Sequence, residues 1–245
     1  MAAVIPAYNE SSTLRTVVLG VLADVQRVIV VDDGSSDDTA SQVCDLPVQV
    51  LRHEKNSGKS RSLMDGFHAA LAWNIDAVVT LDADGQHRPR DLPLLLAESA
   101  RYPSAIVIGS RLHERANIPA ARYWANRFAN FWISWAAGQH IADSQSGFRV
   151  YPTSVLRALL GEMRNTRRFV FESEILIVAA SRSIASRAVP VGANYPASGR
   201  PSHFRPVRDI ALIVLMVARH LLSRGMHLRG LLASLQRSGR VGPEN

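Results

Sequence analysis

The chain has 245 residues, 47% of them hydrophobic and 20% charged, with 15 glycines and 12 prolines. At the usual ~150 residues per domain that is one large domain, or one with a small appendage, and the composition excludes collagen, coiled coil and wholesale disorder. The formal charge of +7 is unevenly placed: from Arg200 onwards eight arginines face Asp209 and Glu244, so +6 sits in that segment and the first 199 residues carry only +1.

In chain order, the pattern predicts a strand at 2–5, a helix at 11–22 and a strand at 27–31 (RVIVV), then a polar break that caps a helix running to about residue 44. A strand at 48–51, a helix at 59–73, a strand at 77–81, a helix at 89–101 and a strand at 105–108 follow. Continuous apolar strands separated by helices predict an α/β fold, a Rossmann-like, mostly parallel central sheet with helices on both faces. Ligands of such sheets sit at the carboxyl ends of the strands. The polar clusters PAYNE (6–10), DDGSSDDT (32–39) and DADGQH (82–87) fall there.

The later chain reads differently. A helix at 118–137 carries Trp124, Phe128, Phe131, Trp132 and Trp135 at spacings of three and four, one aromatic face that suits either a core or a membrane interface. Residues 188–194 are strand-like, and 207–236 mix aliphatic residues with regularly spaced Arg and His. That segment reads as a basic amphipathic helix drawn to anionic lipid, or as a helix packed on the sheet or on a partner. The division expected is a catalytic domain at 1–205 and a basic amphipathic helical tail at 206–245. The longest apolar run, 210–218, has nine residues against the ~20 of a spanning helix. The N-terminus lacks the basic start and apolar stretch of a signal peptide. Cys44 stands alone, which excludes a disulfide framework or a cysteine zinc site and suits a reducing, cytoplasmic compartment.

Asp82 and Asp84 close an apolar strand, and alternate residues of an extended segment point the same way. Two close carboxylates repel unless a cation neutralises them, and hard oxygen ligands suit Mg²⁺ or Mn²⁺. Asp32 and Asp33 close another strand, placed to hydrogen-bond a nucleotide base or ribose, or to cap the next helix. Lys59, beside Gly58, is placed to reach a phosphate, although the P-loop spacing fails because position 53 is not glycine.

PAYNE, VVDDGSSDDT, NSGKS, LDADGQH, IGSR and DSQSGFR together resemble family 2 glycosyltransferases of the GT-A fold, over residues 3 to 205. The branch resembled is the dolichol-phosphate mannosyltransferase-like group, which uses a nucleotide-activated sugar and often a polyprenyl-phosphate acceptor. The resemblance implies that Pro6, Tyr8, Glu10 and Asp33, with Asp32, Lys59, Asp82 and Ala83, bind the nucleotide sugar. It implies a metal held by Asp82, Asp84 and Gln86, and an inverting single displacement. An ionised lipid phosphate needs cations rather than a base, and arginine forks suit it. Arg111 in IGSR and Arg122 with Asn126 and Asn130 match the family's acceptor-phosphate positions, with Asn where Ser is common. Asp143, Ser146 and Arg149 match a further block on the acceptor side. Arg200, Ser202 and His203 match a segment that closes over the phosphates, His203 replacing the usual Lys. Asp84, Arg111, Arg122 and Asp143 are thus the expected catalytic set.

A sugar-hydroxyl acceptor would instead need a base, with Asp143 first and then Glu172 or Glu174, of which at most one can face the site. The QxxRW motif of processive synthases is missing, which argues against polymerisation. A nucleotidyltransferase would begin with a glycine-rich loop that PAYNE does not supply. A basic binding module would spread its charge over a folded face, so no nucleic-acid partner is expected. The expected partners are a nucleotide sugar, a lipid-linked acceptor and the inner face of the cell membrane, reached through the tail.

Overall fold

Strand β1 (Ala2–Ala7), buried along its whole length, runs through the middle of a seven-stranded sheet. The computed structural model describes residues 1–113, 115, 118–163, 171–192, 194 and 206–236. The other strands are β2 (Val28–Asp32), β3 (Val48–Arg52), β4 (Ala77–Thr80), β5 (Ile106–Ser110), β6 (Arg149–Pro152) and β7 (Ser186–Pro190), in the order β3-β2-β1-β4-β6-β5-β7. All pairings are parallel except those of β6, which is antiparallel to β4 and to β5. Proline in a central strand removes a ladder donor. Pro6 is tolerated because β4 pairs with β1 only from Ala2 to Val4, so the chain has already left that neighbour at Pro6.

The period-two alternation of the strands sorts side chains to two cores. Val4, Ile29 and Val31 pack on one face against α2 (Lys59–Leu71), α4 (Ala120–Ala137), α5 (Thr153–Leu159) and α6 (Phe171–Ser181). Ile5, Val28 and Val30 pack on the other against α1 (Leu14–Leu22) and α3 (Leu92–Arg101). This is the mostly parallel α/β sheet, covered on both faces, that the sequence predicts.

Three local expectations change. The DDGSSDDT segment leads into a short 3₁₀ stretch, Ala40–Val43, and not into a helix, because its polar side chains are spent elsewhere. Ser35 Oγ, Thr39 Oγ1 and Asp37 Oδ2 accept the backbone N–H groups of Asn9, Glu10 and Ser11 at 2.9, 2.8 and 3.3 Å, lacing the second strand end to the PAYNE turn. Strand β6 was not anticipated: four residues ending in proline carry too little pattern. The last strand spans Ser186–Pro190, earlier than the 188–194 read from the pattern.

Helices α7 (Pro206–Ser223) and α8 (Leu228–Gln236) follow. Met216, Val217 and Leu221 of α7 join the core shared by α4 and α6. The indole of Trp135 donates to the carbonyl of Met226 at 2.9 Å, and Arg224 donates to that of Ala136 at 3.1 Å, fastening the α7–α8 junction to α4. Among the described residues no single helix is long and apolar enough to cross a membrane. Ala211–Ser223 and Gly225–Leu232 reach that length and composition only as a pair, bent by 104°.

Candidate active site

The carboxyl ends of β1, β2 and β4 open to the same side of the sheet. At the end of β2, Asp33 organises the following loop. Its Oδ1 accepts the Ser57 N–H at 2.8 Å and lies 2.7 Å from His53 Nδ1, and its Oδ2 accepts the Gly58 N–H at 2.8 Å. Gly58, at φ 94°, permits the backbone reversal that aims both amides at one carboxylate before α2 begins. His53 Nε2 reaches Asp65 on α2 at 3.1 Å. Asp32 is fully buried, its Oδ1 accepting the Ser35 N–H at 2.9 Å and its Oδ2 lying 3.2 Å from Arg52 Nε. Tyr8 and Glu10 are half-buried on the PAYNE turn, with Glu10 accepting the Thr13 hydroxyl at 3.0 Å.

At the end of β4 the charges concentrate. Lys59, on the first turn of α2, places Nζ 2.5 Å from Asp82 Oδ1 and 3.1 Å from Glu172 Oε2 on the first turn of α6. Burial alone would lower the Lys59 pKa, but Asp82 and Glu172 outweigh it and hold the ammonium above its ordinary value. Burial alone would likewise raise Asp82, and Lys59 reverses it, so this carboxyl sits below the usual range. Asp84 has no such partner at contact distance: burial and the Asp82 charge push its pKa up. The Gln86 N–H donates to Asp84 Oδ1 at 2.9 Å. Glu174, two residues from Glu172, turns away to His220 at 3.6 Å.

Behind this group lies a second pair. Arg111, after β5, donates through Nε and its backbone N–H to Asp143 Oδ2, each at 3.2 Å. The Gln145 N–H approaches Asp143 Oδ1 at 3.3 Å, and the Arg111 and Asp143 side chains are both buried. Asp82, Asp84, Asp143 and Glu172 gather here with Lys59, Arg111 and the buried Arg149, whose guanidinium donates to the Glu172 carbonyl, so carboxylates outnumber cations by one. Asp82 and Asp84 supply the hard oxygens that a divalent cation prefers. Among the described residues no three His, Cys, Asp or Glu side chains form a ready-made metal cage. A two-carboxylate site keeps coordination positions for phosphate oxygens and water. Asp82, Asp84 and Gln86 fit a Mg²⁺ or Mn²⁺ site of this open kind.

Of the remaining sequence candidates, Arg122 is exposed and Asn126 half-buried on successive turns of α4. Ala83 is buried beside the two aspartates. Ser146 and Arg149 are fully buried. Arg149 donates to the carbonyls of Ser146, Ser144 and Glu172 and to the Tyr151 hydroxyl, so its guanidinium ties the 143–149 segment to α6. Asn130 donates to the Ala142 carbonyl at 2.7 Å and accepts the Ser144 N–H at 2.9 Å, tying α4 to the same segment. Arg200, Ser202 and His203 lie outside the described residues.

His87 is the site residue that the sequence reading missed. It is 1% exposed, its ring lies 5.4 Å from that of Phe148, and neither ring nitrogen has a hydrogen-bond partner among the described residues. Burial, reinforced by Arg111, holds its pKa down at about 3 from 6.5. The unfolded chain therefore binds this proton and the folded chain does not over that whole interval. Stability is lost as pH falls through 6.5 towards about 3, by up to about 1.4 kcal/mol per pH unit from this group. In urea unfolding, His87→Asn is expected to gain on the wild type steadily as buffers are acidified from pH 6.5; a constant gap would contradict a neutral buried ring.

The motifs at these strand ends lie within residues 2–160, which match the model of Glycosyl transferase family 2. The chain belongs to that family. This glycosyltransferase is 30% identical over 213 residues to the UDP-N-acetylglucosamine–dolichyl-phosphate N-acetylglucosaminyltransferase of Methanococcus voltae, covering 78% of this chain and 84% of the relative. It is 30% identical over 199 residues to the undecaprenyl-phosphate mannosyltransferase of Micrococcus luteus, covering 77% and 81%. Among solved structures, the glycosyltransferase superposes on glucosyl-3-phosphoglycerate synthase from Mycobacterium tuberculosis, bound to Mn²⁺ and UDP, with a TM-score of 0.61. That match covers 91% of this chain and 78% of the other at 22% identity, a likeness of fold, and the fold is GT-A.

Proposed function

We propose that this family 2 glycosyltransferase moves a sugar from a nucleotide-sugar donor to a polyprenyl-phosphate acceptor at the inner face of the cell membrane, with inversion at the sugar carbon. The observation that carries the reading is the charge pattern at the strand ends: carboxylates in excess around Asp82 and Asp84, with Lys59 between Asp82 and Glu172 and the buried Arg111 next to them. The PAYNE turn and Asp32 and Asp33 bind the nucleoside, and Lys59 faces the diphosphate. A bound Mg²⁺ or Mn²⁺ neutralises charge on the departing nucleoside diphosphate. In the single displacement an acceptor phosphate oxygen bonds to the sugar carbon as the bond to the diphosphate breaks. That oxygen is already ionised, so no base is required, which accords with Asp143 having both carboxylate oxygens engaged. Arg111, Arg122 and Asn126, with Ser146, Arg149, Arg200, Ser202 and His203 from the acceptor-side segments, are the residues assigned to that side.

The acceptor class also accounts for an apolar exterior. Trp124 and Phe128 on α4 are each 60% exposed, and Leu215, Leu222, Leu228 and Leu232 on α7 and α8 between 61% and 70%. Arg127, Arg219 and Arg229 are exposed on the same three helices. Aromatic and aliphatic side chains beside arginines suit the interface of an anionic leaflet. Arg122 and Asn126 share α4 with the exposed rings, which would bring the acceptor's phosphate and the bilayer to one helix. Peripheral contact through the C-terminal helices follows.

The test is transfer of labelled sugar from a panel of nucleotide sugars into vesicles that carry either a polyprenyl phosphate or the parent polyprenol. Label is expected in the organic phase only with the phosphate, in the presence of Mn²⁺ and not of EDTA. Transfer to the polyprenol, or transfer insensitive to EDTA, would overturn the reading.

A further inference from the structure

The ammonium of Lys59 is shared between two carboxylates, 2.5 Å from Asp82 and 3.1 Å from Glu172, and all three side chains are no more than 24% exposed. They come from three separate elements: the start of α2, the end of β4 and the start of α6. One ammonium cannot neutralise both carboxylates, and partial burial makes the excess charge felt. Lys59 also occupies Oδ1 of Asp82, one of the two oxygens through which that carboxylate would hold a cation. Two cations on one carboxylate oxygen repel, so a divalent ion that binds through Oδ1 pushes Lys59 away from Asp82. Glu172 offers the displaced ammonium a carboxylate already within contact distance. Lysine suits such a move, being a point charge on a flexible four-carbon stem.

We propose that Glu172 is a positioning residue that draws Lys59 off Asp82 when Asp82 takes up a divalent cation. The pairing changes from Asp82–Lys59–Glu172 to a cation on Asp82 and a full ion pair between Lys59 and Glu172. No proton is moved and no buried charge is left without a partner. Lys59 stays at the start of α2, paired with Glu172. The inference rests on the reading of Asp82 and Asp84 as cation ligands. It also gives Glu172 a task different from that of a general base.

The experiment titrates Mn²⁺ alone into metal-stripped protein and reads free Mn²⁺ by electron paramagnetic resonance, with melting in EDTA to confirm that each variant is folded. Glu172→Gln leaves Asp82 as the sole counter-ion of Lys59 and is expected to weaken Mn²⁺ about tenfold, the size of coupling usual for contacting groups. Glu172→Asp, which keeps the charge but shortens its reach, is expected to weaken it about threefold. Lys59→Met removes the competitor, so adding Glu172→Gln to it is expected to change Mn²⁺ affinity less than about threefold. Equal losses from Glu172→Gln in both backgrounds would mean that Glu172 acts only through its own field, and would overturn the proposal. So would a wild-type affinity in Glu172→Gln itself. If the wild type binds no Mn²⁺, or Asp84→Ala binds it undiminished, the cation site itself is wrong and the relay falls with it. If Asp84→Ala loses Mn²⁺ and only the coupling between Lys59 and Glu172 is missing, the relay alone falls.

Discussion

Replacing Gly147 by alanine is expected to lower kcat/KM for sugar transfer by about a hundredfold, the cost of a catalytic group displaced by about an ångström. The cause is steric and local. A Cβ at position 147 would lie 2.6, 2.7 and 2.8 Å from Oδ2, Oδ1 and Cγ of Asp82, inside any tolerable contact. The backbone cannot retreat, because the Thr80 hydroxyl donates to the Gly147 carbonyl at 2.7 Å and the Gly109 N–H donates to the Phe148 carbonyl at 2.8 Å. The side chain that must yield is therefore Asp82, which would swing off both Lys59 and any cation. Gly161→Ala is the control, since a Cβ there meets nothing within 4 Å. Far-UV melting is expected to stay cooperative in both variants, with activity lost only at position 147. An active Gly147→Ala would mean that the Asp82 carboxylate is not needed in this place.

Gly147 also shows where sequence reading stops. Its motif, SGFR, could be recognised as a block, but the reason for the glycine is a carboxylate 65 positions earlier in the chain. The strand-end clusters were legible because each is local: an apolar run ends, acids follow, and the sheet carries them to one side. The same locality made the sheet legible except at β6, whose four residues are antiparallel and end in proline. The Lys59–Glu172 contact joins residues 113 positions apart, and nothing in either neighbourhood names the other. The helical period did establish that Glu172 and Glu174 face different ways; only packing decides which one looks inward. His87 was invisible for a related reason, since it follows Asp84, Gly85 and Gln86 in a polar stretch, and the ring it packs against, Phe148, lies far along the chain. The polar residues of DDGSSDDT misled in the opposite direction. Their composition fits a helix cap, but the N–H groups they satisfy belong to the turn after β1.

The charge distribution sharpens in the same way. The +6 carried from Arg200 onwards hides a compensating arrangement in the nearly neutral remainder, where the strand ends hold more carboxylates than cations. An anionic donor is thus expected to meet carboxylates that a divalent ion would bridge to it, while Arg219 and Arg229 of the later helices face outward. Donor affinity should accordingly follow Mn²⁺, and attraction to anionic vesicles should follow ionic strength.

Asp143→Asn is expected to destabilise the protein by about 3 kcal/mol or more, because it removes the charge that balances a buried guanidinium. For a chain of this length that is about a 10 °C fall in melting temperature. Asp143 is fully buried and Arg111 only 8% exposed, so water cannot take over the lost partner. A buried pair replaced as a pair costs far less than one broken on a single side. Adding Arg111→Met to Asp143→Asn is therefore expected to restore most of the lost melting temperature, while transfer remains lost with the guanidinium. The comparison separates two roles for Asp143. As the counter-ion of Arg111, its loss is felt first in stability and is repaired by removing the charge it balanced. As a general base, its loss would leave the melting curve near that of the wild type and transfer abolished, with nothing regained in the double variant. The hydrogen bonds from Arg111 and the Gln145 N–H already occupy both oxygens, which is why the first outcome is expected.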